Sequence, residues 1–279
     1  MSFLKQAIRK TPLYKPARRL YQKLRNIPRH PLQDMRTVDG LDLVHLGSGY
    51  GGWTFIDGPD LNGCTIISAG LGEDASFDVE FAAKYDAKVI IVDPTPRAIA
   101  HFQGISERLG RASDCGYSEG GEQPLGAYDL SNLDPASLTL VEKALWDRSV
   151  QLKFFEPRDQ RHVSHSIVNY QNEFSDATSH IEVQAVTLSE LLTDLNLKPK
   201  DIPLIKLDIE GAAVEVLTQA VGADGFKPKQ ILVEFDELTV PSGRGFERVS
   251  MIHELLTRSN YKMVSTDGQA DFLYLRTEE

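Results

Sequence analysis

From Thr65 onward the chain alternates short apolar runs with stretches of helical period: TIISAGLG, SFDVEFAAKY, AKVIIVD and TPRAIAHFQGISERL, then IPLIKLDIEG, AAVEVLTQAVG, KQILVEFDE and RVSMIHELLTRSN. This rhythm constrains the fold more than any other feature of the chain. Strands that read as continuous Val, Ile and Leu need cover on both faces, and each is followed by a segment that can supply it. The pattern predicts a mostly parallel α/β sheet between two helical layers. The last two runs, YKMVSTDG and ADFLYLR, are joined by a short polar segment and predict an antiparallel C-terminal hairpin that closes the sheet. With 279 residues, 41% of them apolar, the chain can build one large domain of this kind or two small ones.

Four stretches stand outside the rhythm. Residues 35–62 contain HLGSGYGGW, in which Gly47, Gly49 and Gly52 spell GxGxxG after a strand-like run. A dinucleotide loop would open a helix at that point, whereas WTFIDGPDLNG continues with aromatic and β-branched residues and then turn signals. The stretch therefore reads as an N-terminal hairpin, with Tyr50 and Trp53 free to cover one side of the site or, as expected here, only sealing the edge of the sheet. Residues 110–137, rich in Gly, Ser and Asp, read as an exposed loop or lid. After the strand-like LTLVEKALW, residues 148–180 (VQLKFFEP, then HVSHSIVNYQNEF) read as an inserted hairpin. IEVQAVT follows as a further strand, and TLSELLTDLN as a helix with Thr187 and Glu190 in capping-box positions.

The fourth stretch is the N-terminus. The net charge of −10 hides an asymmetry, because residues 1–30 hold nine basic side chains and no acidic one, which leaves 21 basic against 40 acidic residues in the rest. Residues 1–34 are thus a basic, partly amphipathic arm ahead of a folded domain at 35–279. One reading attaches the arm to an anionic membrane surface or an acidic partner. The other leaves it solvated or packed on the protein's own acidic body. Nucleic acid does not fit, since an acidic body repels phosphates. No run approaches the ~18–20 apolar residues of a membrane span, and the N-terminus lacks the apolar stretch of a secretory signal, so the expected location is cytoplasmic, peripheral at the membrane if the arm binds there. Cys64 and Cys115 form neither a disulfide framework nor a zinc motif.

The glycine turn missing its helix at residue 52 has a counterpart at TIISAGLGEDASFDVEFAAKY. Here a strand runs through Ser68 into Gly70 and Gly72, and an amphipathic helix follows from Ser76. Its N-terminal amides suit a carboxylate or phosphate. The next strand, VIIVD, ends in Asp93, placed to accept hydrogen bonds from the hydroxyls of an adenosine ribose. Glu73 and Asp74 occupy the place of a pyrophosphate, where two carboxylates would repel it. S-adenosylmethionine brings a sulfonium and an ammonium instead, so charge favours that cofactor over NAD. A turn between core elements with no ligand remains the simpler alternative.

At the end of IPLIKLDIEGAAVEVL, Asp208 and Glu210 project to one side of a strand before Gly211 opens a helix. If this strand neighbours TIISAG, they face Gly70 across the cleft of an open sheet.

IKLDIEGAAVEVL, together with AGLGEDASFD, VDPTPRA and the region between ALWD and HVSHSIVN, resembles the FkbM-type S-adenosylmethionine-dependent methyltransferases over roughly residues 43 to 240. The resemblance implies a class I methyltransferase fold (Rossmann-like), with a seven-stranded sheet containing one antiparallel strand, and methyl transfer to a hydroxyl. By position, Gly70 and Gly72 would flank the methionine moiety, Asp93 the ribose, Asp208 the transferred methyl, and Leu145, Trp146 and Asp147 the adenine. Ala213 departs from the family pattern, in which many members carry a second Glu. A sugar-type hydroxyl needs a base, for which Asp208, Glu234 and His165 are the candidates. Asp208 with Glu234 or Asp236 could also offer oxygen ligands to Mg²⁺, but a third ligand is not evident, and no metal is expected. The resemblance and the basic arm point to a glycan or glycolipid acceptor, while a small metabolite or a protein fits the residues equally. A nicotinamide-dependent oxidoreductase and a non-catalytic binding protein remain as other classes.

Overall fold

The computed structural model describes residues 28–155, 180–223 and 226–277. His165 lies outside them, as does the whole of HVSHSIVNYQNEF and the arm up to residue 27. Seven strands form the main sheet: β3 (Thr65–Ala69), β4 (Lys88–Val92), β5 (Leu138–Val141), β9 (Leu204–Leu207), β10 (Gln230–Glu234), β11 (Tyr261–Thr266) and β12 (Asp271–Arg276). Their spatial order is β11-β12-β10-β9-β3-β4-β5, and only β12 runs against its neighbours. This is the class I methyltransferase arrangement. The chain builds outward from β3 through β4 to β5, then restarts at β9 on the other side, so the connections diverge between β3 and β9. Ligands bind at such a divergence because no crossover covers the carboxyl ends of the two strands.

Alternate residues of the buried strands supply two cores. Ile67, Ile90, Ile205 and Ile231 face α3 (Leu188–Asp194), α4 (Ala213–Val221) and α5 (Gly243–Arg258) through Leu191, Leu217 and Ile252. Ile66, Val89, Leu204 and Leu232 face α1 (Ser76–Tyr85) and α2 (Pro96–Ser106). Helix α1 forms because Phe77, Phe81 and Tyr85 recur every fourth residue and bury one face, and it stops at Asp86, which takes the left-handed conformation. Their rings and Phe55 make an aromatic cluster with centroids 4.8–6.1 Å apart.

Phe55 belongs to a two-stranded hairpin, β1 (Leu43–Leu46) with β2 (Trp53–Ile56). Gln230 fastens it to the sheet, its amide exchanging two 2.8 Å hydrogen bonds with the backbone of Ile56.

Two expectations need correction, the continuity of LTLVEKALW and the exposure of residues 110–137. LTLVEKALW breaks at Glu142 and Lys143 into β5 and a short β6 (Ala144–Leu145). IEVQAVT is a strand as expected, part of β8 (His180–Val186), which pairs antiparallel with β7 (Val150–Phe155) and parallel with β6 in a separate three-stranded sheet. A strand buried on one side only has no place inside a sheet covered on both, and β8 shows that one-sided burial. Residues 110–137 are not all exposed, since Tyr128 and Leu130 are fully buried and the Tyr128 hydroxyl shares a 2.7 Å hydrogen bond with His101 Nε2 and accepts from the amide of Ala75.

Candidate active site

At the carboxyl ends of β3 and β9 lies a cavity of about 580 Å³, within the size range of small-molecule sites. The turn after β3 forms one wall. Gly70 has φ +89° and Gly72 φ +56°, and a Cβ on Gly70 would stand 1.7 Å from the carbonyl oxygen of Asp208. The two turns therefore approach as closely as backbone allows, and only glycine fits.

Asp93, at the end of β4, holds this turn. Its Oδ2 accepts from the amides of Leu71 and Gly72 at 2.9 and 3.0 Å. Its Oδ1 accepts from the amide and hydroxyl of Thr95 at 2.8 and 2.7 Å. Four donors fill the carboxylate's acceptor sites. Asp93 lines the cavity where a ribose-binding acid is expected, and it also fixes the turn that carries the glycines.

Glu73 and Asp74 are on the wall as well, each with its own protein partners. Glu73 pairs with Arg97 at the start of α2. Asp74 accepts from the Ser48 hydroxyl at 2.6 Å, the Ser76 amide at 2.9 Å and the Gln123 side-chain amide at 3.1 Å. It thereby draws the GxGxxG loop over the cavity. The amides of Tyr50 and Gly51 cap Ser48 Oγ, and the amide of Gly47 donates to Glu80 on α1. Tyr50, Gly51, Gly52 and Trp53 form a roof, which corrects the expectation that Tyr50 and Trp53 merely seal the sheet edge. A Cβ on Gly121 would meet the Tyr50 ring at 2.7 Å, so the 118–123 loop is packed against this roof.

The opposite wall is acidic: Asp208, Glu210, Glu234, Asp236 and Asp271 all line it. Strand β9 ends at Leu207, and Glu210 has φ +47°, so Asp208 and Glu210 leave from a turn and not from an alternating strand. Asp236 Oδ2 accepts from the Gly211 amide at 2.6 Å. Burial, then the charges of Asp208 and Asp236, hold Glu234 well above the usual carboxylate range. Burial and the charges of Glu210 and Asp208 do the same for Asp236. Desolvation and the Asp208, Glu210 and Glu234 charges push the Tyr50 phenol up to about 12. Burial and mutual repulsion thus favour the protonated form of Glu234 and Asp236 over that of a solvated carboxyl.

Of the sequence-derived candidates, the cavity gathers Gly70, Gly72, Glu73, Asp74, Asp93, Asp208 and Glu234. Three do not reach it. Ser68 is fully buried, because alternation along β3 turns it toward α1, where its hydroxyl lies beside Asp78. Trp146 packs with Phe154 and Ala185 on the small sheet. Asp147 pairs with Arg148, both oxygens bound at 2.9 Å. Leu145, the third residue expected beside the adenine, does line the cavity, and with Ala144 and Phe154 it supplies the apolar wall. Sequence reasoning missed Asp271 and Lys206. Asp271 is recognisable only once β12 is known to lie antiparallel to β10, which sets it opposite Glu234. Among the described residues no group of three or more His, Cys, Asp or Glu side chains could hold a metal ion.

A glycine-lined turn, an apolar niche and an acidic wall at the switch point of this sheet fit a flat nucleoside bearing a cationic amino acid tail, and define a class I S-adenosylmethionine-dependent methyltransferase. The profile of the methyltransferase FkbM domain matches residues 59–263, and the chain belongs to that family. The family assignment decides between the two cofactors that charge alone had ranked.

No curated protein matches the chain. Similar solved structures include precorrin-6y C5,15-methyltransferase from Geobacter metallireducens GS-15, with 11% identity, a TM-score of 0.38, and coverage of 78% of this chain and 81% of that one. Another is the Methanococcus jannaschii fibrillarin pre-rRNA processing protein, with 10% identity, a TM-score of 0.38, and coverage of 88% and 86%. A third, M. jannaschii TYW2 in complex with AdoMet, has 9% identity, a TM-score of 0.31, and coverage of 77% and 71%.

Proposed function

We propose that the protein methylates a hydroxyl oxygen of a sugar, glycolipid or related polyol. The observation that carries this reading is the acidic wall, where five carboxyl groups face a cavity roofed by Tyr50 and Trp53. Carboxylates accept hydrogen bonds from vicinal hydroxyls, aromatic faces stack on the apolar face of a pyranose, and the wall repels phosphate or carboxylate groups.

S-adenosylmethionine supplies an already activated methyl group. The protein's share is to position the acceptor and receive its proton. Asp208, at the turn facing Gly70, and Glu234 beside it are placed for that task. A carboxyl whose affinity for protons is raised by burial and a neighbouring charge, as at Glu234, is a stronger base than a solvated one. The glycine turn that Asp93 orders would hold the nucleoside end, with Leu145 and Phe154 against the base. The basic residues of the arm, in this reading, hold the domain to an anionic membrane carrying the acceptor. Among the described residues no helix is long and apolar enough to cross a membrane.

The test is methyl incorporation from labelled S-adenosylmethionine into neutral glycosides and glycolipids compared with phosphorylated or carboxylated ones. Ether formation on the neutral set supports the reading. Incorporation confined to anionic or nitrogen acceptors refutes it.

A further inference from the structure

Lys206 has no part in the reading above, and its surroundings are unusual. It is central in β9, in register with Ser68 of β3, and its side chain is only 4% exposed. A buried ammonium is costly unless it is paired and hydrogen-bonded. Here Nζ donates to the carbonyl of Gly70 at 2.6 Å, stands 3.8 Å from Asp208 Oδ2, and lies 5.8 Å from the centroid of the Trp53 ring. Asp78 of α1 is buried behind it, its pKa raised to about 6 by burial, a rise that the Lys206 charge opposes. Among the described side chains lining the cavity Lys206 is the one cation.

The position matters because the sheet forks there. The amide of Asp208 donates to Ala69 O at 3.0 Å, and the Gly70 and Asp208 backbones just beyond that bond stay in contact before the two turns part around the cavity. Gly70 O is the next carbonyl past the fork, and the lysine, not the ladder, satisfies it.

We propose that Lys206 is the positioning residue of the methyl-transfer site: its ammonium ties the Gly70 carbonyl of one turn to the Asp208 carboxylate of the other, and so sets the width of the cleft that holds S-adenosylmethionine. This rests on the assignment of that cleft to the cofactor. A neutral side chain leaves Gly70 O without its donor and Asp208 without its counter-charge. An arginine keeps the charge but replaces a compact ammonium by a planar fork, which does not fit between the same two oxygens.

The experiment is calorimetric titration of S-adenosylhomocysteine into the parent protein, Lys206→Met and Lys206→Arg, with thermal melts of all three. We expect binding by the parent, affinity weaker by about tenfold or more in Lys206→Met, and weaker by roughly threefold or more in Lys206→Arg. A purely structural lysine would lower the melting temperature and leave the affinity of the folded protein within about twofold; that result in Lys206→Met overturns the proposal. Should Lys206→Met not fold, the same criterion applied to Lys206→Arg decides. Absence of binding by the parent is a different failure, because it removes the cofactor assignment itself.

Discussion

Replacing Gly70 with alanine probes the closest contact in the site. Two costs can be worked from the structure. At φ +89° an L-residue is strained, by about 1–2 kcal/mol. The new Cβ would also stand 1.7 Å from Asp208 O and 2.7 Å from Asp208 C, so the β9 turn must retreat by more than an atomic radius. Forced repacking of a tight interior adds about 1–3 kcal/mol. The sum, about 2–5 kcal/mol, corresponds to a fall in melting temperature of roughly 5–15 °C for a domain of this size. Because the displaced turn carries Asp208 and the substituted residue's own carbonyl is the one Lys206 holds, S-adenosylhomocysteine binding should be lost along with stability. Gly63→Ala is the control: its φ of +65° is likewise left-handed, but nothing lies within 4 Å of its Cβ. It should cost only about 1 kcal/mol, with binding intact. Melts and titrations of the three proteins check this. If Gly70→Ala melts and binds like Gly63→Ala, the close approach of the two turns is not what positions the site.

Asp208→Ala is expected to keep the fold and lose turnover on an accepted glycoside by about 100-fold or more, as for loss of a positioned base; unchanged turnover removes Asp208 from the mechanism. Glu234 has a pKa raised in the folded state, so its contribution to stability is full below its unfolded value of about 4.3 and is lost as pH rises through the folded value. Glu234→Gln should therefore gain melting temperature relative to the parent between about pH 5 and 8, with the two curves converging near pH 4, and a difference independent of pH would refute the shift. Removal of residues 1–27 spares the bonds that Arg29 makes to Gly268 O and His30 to Ser250. It should abolish sedimentation with anionic vesicles at low salt, whereas persistent sedimentation places the membrane contact elsewhere. Asp93→Ala should weaken S-adenosylhomocysteine binding by about tenfold or more, since it frees the glycine turn as well as the ribose end of the cleft. Binding equal to the parent's would leave the turn fixed by Gly70 and Lys206 alone.

The sheet was legible because its strands are buried on both faces and say so: ILVEF and IIVD tolerate no other placement. Gly70, Gly72, Asp93 and Asp208 were legible because strand ends at a switch point are found by counting along the chain. What could not be read were relations between distant segments. β8 looks like any strand until its partner is known, and Trp146 sits next to Leu145 in sequence yet turns to the other side of β6. Ser68 precedes the glycine turn, but alternation along β3 buries it. The GxGxxG match was correctly set aside as a dinucleotide loop, and the loop still belongs to the site, because Asp74 ties it there through Ser48.

That tie has a consequence for how such a chain can change over time. One carboxylate serves three stretches: the hairpin turn through Ser48, the first turn of α1 through Ser76, and the 118–123 loop through Gln123. Ser48 lies before the segment shared with the family, while Asp74 and Gln123 lie inside it. Loss of any one donor leaves a buried acceptor short, at a cost of about 1–3 kcal/mol, so substitutions at these positions are expected to be inherited together. Acquiring or discarding the roof would then rewrite positions 74 and 123 as well, and the acceptor range of a descendant would shift with them.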